Sequence, residues 1–185
     1  MDTTGDDGTL RDSRRHQLAY KLMAHKVRTR TISAMTGLSR NQQRTLRRRW
    51  GITGRMRPRG SSPVSLSRFT RSMRARSEGA SLAAICRAYG VLLPQALADI
   101  SRRGPLPLEL AERLCHAYET FCACFPEGKI QFEDMLNFVL GIAKNEVIGL
   151  GQCASCGATV LIDRLDSRQP TCGQCQPART ARGST

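Results

Sequence analysis

The sequence predicts a mainly α fold, a helical domain with a helix-turn-helix-like N-terminal region and a C-terminal four-cysteine zinc-ribbon-like module. Apolar residues recur at three- and four-residue spacing along several stretches. A glycine followed by a Ser-x-x-Gln cap divides two of those stretches. Two Cys-x-x-Cys pairs lie near the C-terminal end. The chain's 185 residues suit one main domain with a small module. The expected division is an acidic disordered tail over 1–12, a basic region over 13–77 and a helical core with partner-binding surface over 78–150. A cysteine module over 151–178 and a disordered tail over 179–185 complete it.

Each element has a local reason. Leu18, Leu22, Met23 and Val27 line one face between His16 and Arg28, which is a helical spacing. A second helix is expected over Thr31–Thr36, with Ile32 and Met35 apolar, and Gly37 supplies the left-handed turn after it. Ser39 and Gln42 form a capping box for a third helix from Arg40 to Trp50. That helix buries Leu46 and Trp50 and displays Arg40, Asn41, Gln43, Arg44, Arg47 and Arg48. Gln43 stands where a helix-turn-helix ordinarily has an apolar residue, and an ordinary helical hairpin with a basic face is the competing reading.

Residues 52–65 are rich in Pro, Gly and Ser, so they read as a linker. Arg55, Arg57 and Arg59, at every second position there, suit either an extended arm along a phosphate backbone or a plain flexible linker. A basic helix over Ser67–Arg76 follows, and then a helix from Leu82 to Tyr89 capped by Ser81. That second stretch also scans as half of a helix-turn-helix, but its apolar continuation favours a buried helical pair. Two amphipathic helices, Leu108–Phe125 and Phe132–Glu146, end the helical part, and their uncovered apolar surface is available to a partner subunit.

Charge is distributed unevenly. The whole chain carries +14, yet residues 13–77 contain no Asp or Glu and hold 18 Lys and Arg, 16 of them Arg. Arg grips phosphate or guanine with a planar fork, and a solubility face would mix signs. The expected partner is therefore nucleic acid. The residue types of the capped helix narrow this to double-stranded DNA, since Asn41, Gln42 and Gln43 suit adenine edges and Arg40 and Arg44 suit guanine or phosphate. The candidate DNA-binding residues are Arg28, Arg30, Arg40, Asn41, Gln43, Arg44, Arg47, Arg48, Arg55, Arg57 and Arg59. No apolar run reaches the roughly 20 residues of a membrane span, and the polar, acidic start does not read as a signal peptide, so a cytoplasmic location without membrane contact is expected.

Cys153-x-x-Cys156 and Cys172-x-x-Cys175 are separated by 15 residues. Such knuckles bring four thiolates to one tetrahedral Zn²⁺. Gly157 and Gly173 are expected at positive φ in the knuckles, and the β-prone Thr159–Ile162 gives a short hairpin. Four Cys close the coordination shell and no His or Glu stands near as a general base, so the ion is structural and no catalytic residue is expected. Cys86, Cys115, Cys122 and Cys124 lie in apolar helical settings and read as core residues.

Several of these residues together resemble the bacterial flagellar transcriptional activator family FlhC. Leu38-Ser39-Arg40, Leu46 and the basic turn to Gly51 follow that family's N-terminal pattern. So do Ala117-Tyr118 ahead of Pro126, Gly149-Leu150, and the tail from Cys153 through Cys175-Gln176-Pro177. The resemblance covers about residues 14–178 and is weakest in the middle, where this chain has fewer aromatics and more Arg. It implies a zinc-binding transcriptional activator in a hetero-oligomer with an FlhD-type subunit. Such an activator would bind promoter DNA and act on RNA polymerase. Flagellar and conjugative-transfer operons are both open as targets. An RNA-binding or ribosome-associated zinc-ribbon protein is the alternative, against which the scarcity of stacking aromatics counts.

Overall fold

The computed structural model describes residues 4–52, 65–102, 104–145, 147–167 and 169–175. The helices are α1 (Thr4–Ala24), α2 (Thr29–Thr36), α3 (Arg40–Arg49), α4 (Met73–Ala88), α5 (Pro94–Ser101), α6 (Leu108–Cys124) and α7 (Phe132–Lys144). They are followed by β1 (Ile148–Gln152) and β2 (Thr159–Asp163), which pair antiparallel with Ile148 opposite Asp163 and Gln152 opposite Thr159. Among the described residues the fold is mainly helical, as the apolar spacing predicts. None of these helices is long and apolar enough to cross a membrane.

One core joins the helices. Leu18, Leu22, Met23 and Val27 of the α1 stripe are buried with Ile32, Met35 and Leu38 from α2 and its turn. Leu110, Leu114, Ala117 and Phe121 from α6 and Phe132, Met135, Phe138 and Val139 from α7 belong to the same cluster. The basic N-terminal region is thus seated on the helical core and shares its apolar interior. Acid–base contacts reinforce this seat. Arg14 Nη2 lies 2.6 Å from Glu112, Lys21 Nζ lies 2.9 Å from Glu119, and Arg68 pairs with the buried Asp134.

The structure corrects several boundaries. Residues 4–12, expected to be disordered, belong to α1. The helix continues outward from its packed stem through Gly5 and Gly8, and the Asp12–Arg15 pair adds i,i+3 support. The expected helices over Ser67–Arg76 and Leu82–Tyr89 are instead a short 3-10 turn over Ser67–Phe69 and the single helix α4, capped by Ser72. Ser81 lies inside α4 and caps nothing. Gly79 sits mid-helix where a side chain would stand 3.0 Å from Leu161 Cδ2, so the glycine permits β2 to approach α4. α5 lies against α7. β1, which leads into the first cysteine pair, starts at the buried Ile148.

Candidate metal centre and basic helix-turn-helix face

The hairpin positions the first pair of cysteines. Cys153 follows β1 directly, its N–H donates to Ala158 O at 2.8 Å, and Gly157 N–H donates back to Cys153 O at 2.9 Å. Gly157 takes φ 72°, as expected of the knuckle, whereas Gly173 does not adopt positive φ. The second knuckle is tied to the first by Ala154 N–H donating to Pro170 O at 2.9 Å. The sulfurs of Cys153, Cys156, Cys172 and Cys175 all lie within 4.8 Å of one another. Cys156 and Cys172 Sγ are 3.6 Å apart. Tetrahedral bonds of about 2.3 Å imply sulfur separations of about 3.8 Å, so the four cysteines fit one metal ion.

The local field favours ligation. Backbone N–H donors from Cys172, Ser155 and Cys156 lower the Cys153 thiol to about 6. The nearest of them, Cys172 N, is 3.3 Å from the sulfur. Cys172 is lowered by the N–H groups of Cys175 and Gln174. Hydrogen bonding to Cys156 and Cys172 pushes Cys175 up to about 12. The other cysteines divide. Burial raises Cys86 and Cys115 to about 12, as core thiols. Cys122 is half-buried, and Cys124, expected in the core, is exposed at the end of α6.

The N-terminal helices form the second site. α2 ends at Gly37 with φ 73°, whose N–H donates to Ser33 O. Ser39 then caps α3: its Oγ accepts from Gln42 N at 3.3 Å, and Gln42 Oε1 accepts from Ser39 N at 2.8 Å. The capping box expected from the sequence is therefore present. Helix, left-handed glycine and capped helix make the helix-turn-helix arrangement.

Gln43 accounts for the missing apolar residue. It is 1% exposed and its Nε2 donates to Thr29 O (3.2 Å), Ser33 Oγ (2.8 Å) and Leu38 O (3.0 Å). One amide thus joins α2, the turn and α3. Gln43 is removed from the candidate DNA-contacting residues by this burial. Arg47 is removed for the same reason, being 4% exposed. Arg30, Arg40, Asn41, Arg44, Arg48 and Arg49 remain exposed. Arg28 is half-buried, and its backbone N–H donates to the buried Glu133 carboxylate of α7 at 2.7 Å. That carboxylate occupies the positive end of the α2 dipole. Arg55, Arg57 and Arg59 lie outside the described residues, as does the segment 179–185.

Sequence reasoning missed Glu133. No local pattern distinguishes a buried anchoring carboxylate from an ordinary acid in a first helical turn. The Gln43 bridge had one signal, the amide at an expected apolar position. No protein-family model matches the chain, and no curated protein matches it.

Proposed function

We propose that this protein is a DNA-binding transcriptional activator whose α3 enters the major groove of promoter DNA and whose four cysteines hold a structural Zn²⁺. The observation that carries this reading is the exposed set Arg40, Asn41, Arg44 and Arg48 on a helix capped by Ser39 and bridged to α2 by Gln43. Arg and Asn at the start of such a helix are the side chains suited to guanine and adenine edges. Arg30 and Arg49, exposed beside them, suit flanking phosphates.

A closed set of four thiolates favours zinc in a structural role. Bound there, the ion would supply folding energy to the hairpin. The described residues place the hairpin against α4, so its order bears on the helical core. In keeping with the FlhC resemblance, the activator works with an FlhD-type subunit at flagellar or conjugative-transfer operons and acts on RNA polymerase. Co-expression with the product of the neighbouring gene, followed by genome-wide mapping of bound DNA, tests the reading. Co-purification and enrichment at a small set of promoters is the expected result. Exclusive recovery of RNA would replace it with the RNA-binding alternative.

A further inference from the structure

An open groove of about 990 Å³ runs along the outer face of α1 and ends at Trp50. Apart from Trp50 its walls are positions 8, 9, 12, 13, 16, 17, 20 and 21 of α1. The positions of this stripe follow the i, i+4 repeat of one helix face, so an antiparallel copy meets them as 8 with 21, 9 with 20, 12 with 17 and 13 with 16. Its sizes are opposed from end to end. Gly8, Thr9 and Ser13 are small and stand at one end, while Tyr20 and Trp50 stand at the other in an edge-to-face pair with centroids 5.4 Å apart. Nothing lies within 4 Å of where a side chain at Gly8 would project. Tyr20 is 50% exposed despite its size.

We infer that this stripe is a homodimer interface, in which α1 of a second copy lies antiparallel in the groove. An isologous contact requires a surface complementary to itself under a two-fold rotation. Here the rotation lays Tyr20 and Trp50 of each copy over Gly8 and Thr9 of the other. It also brings Asp12, an acceptor, opposite Gln17, a donor. The contact runs for 14 helical positions, about 20 Å. One helix pair is a small contact beside the interfaces of stable dimers, so a weak, concentration-dependent dimer is expected. The dimer presents two copies of α3. A further consequence, which rests on the DNA-binding reading, is an operator of two half-sites related by a dyad.

The full chain is tested by sedimentation from about 1 to 100 μM without DNA, which keeps the outcome independent of the DNA-binding reading. The expected mass rises from 20.4 kDa toward twice that value. Thr9→Tyr sets two rings against each other and weakens association at least about tenfold. Tyr20→Thr weakens it comparably by removing the ring. The double variant Thr9→Tyr, Tyr20→Thr exchanges the sizes and restores the dimer, with circular dichroism confirming that each variant is helical. A monomer throughout, dimerisation insensitive to both single variants, no recovery in the exchange, or assembly through this face only with a different protein would each overturn the inference. A stable dimer that fails to shift any duplex would leave this interface standing and remove the DNA-binding reading alone.

Discussion

At the scale of single residues, two buried polar side chains determine where the basic helices sit. Gln43 bridges α2, the turn and α3 through one amide nitrogen. Gln43→Ala removes that bridge and leaves a cavity, which should cost about 1–3 kcal/mol. Thermal unfolding should fall by several degrees, and DNA affinity should fall with it although Gln43 cannot reach DNA. Unchanged melting would remove Gln43 as the fastener. Glu133 fixes the start of α2 through Arg28 N. Glu133→Gln retains an acceptor and should lose less stability than Glu133→Ala, which leaves a half-buried donor unmade. Equal losses in urea unfolding of the two variants would contradict that role.

Glu119 gives a pH dependence at the same scale. Its burial raises the carboxyl, but hydrogen bonds from Lys21 and His25 outweigh this and hold it below the ordinary 4.5. A depressed folded value means that the contribution is present above pH 4.5 and is lost as pH falls through the lower folded value. Glu119→Gln should therefore lose stability relative to the native chain near neutral pH, and the gap should close in strong acid. A gap independent of pH would show that charge plays no part.

At the scale of elements, the cysteine hairpin brings four ligand-competent thiols together and packs into a larger core. Val160 and Leu161 of β2 are buried, and β2 lies on α4. Cys153→Ser should abolish stoichiometric zinc in the purified protein and expose the hairpin to protease. It should also lower the melting temperature of the whole chain, because Leu161 belongs to the common core. Retained zinc and unchanged protease resistance would exclude a four-cysteine site. Legibility from sequence differed sharply between elements. The cores of α2, α3, α6 and α7 follow from apolar spacing, and the cap at Ser39 follows from residue type. α4 did not, because Ser81 reads as a cap although the helix runs through it, and the role of Gly79, room for Leu161, depends on a contact 82 positions along the chain. The four cysteines were legible because their ligand chemistry leaves a strict spacing.

At the scale of the whole molecule, the acid-free stretch carries less free charge than its composition suggests. Arg14 and Lys21 are each paired with a carboxylate 98 positions away, and Arg68 meets Asp134. Such partners leave no mark in local sequence, so the 18 basic residues looked equivalent. The exposed Arg30, Arg40, Arg44, Arg48 and Arg49 lie instead together on α2 and α3, four of them on α3 alone. That concentration is what turns a general attraction to polyanions into a directional face.

The central claim is that this face binds duplex DNA through α3. The most direct measurement is the affinity of the full chain for a promoter-length duplex across salt concentrations, by fluorescence anisotropy. Neutralising four to five phosphates gives a log–log slope of about −4. Replacing Arg40, Arg44 and Arg48 by Ala should flatten the slope and lower affinity at least about tenfold without altering zinc content. An affinity for duplex DNA independent of salt, or unchanged in the triple variant, would contradict the account.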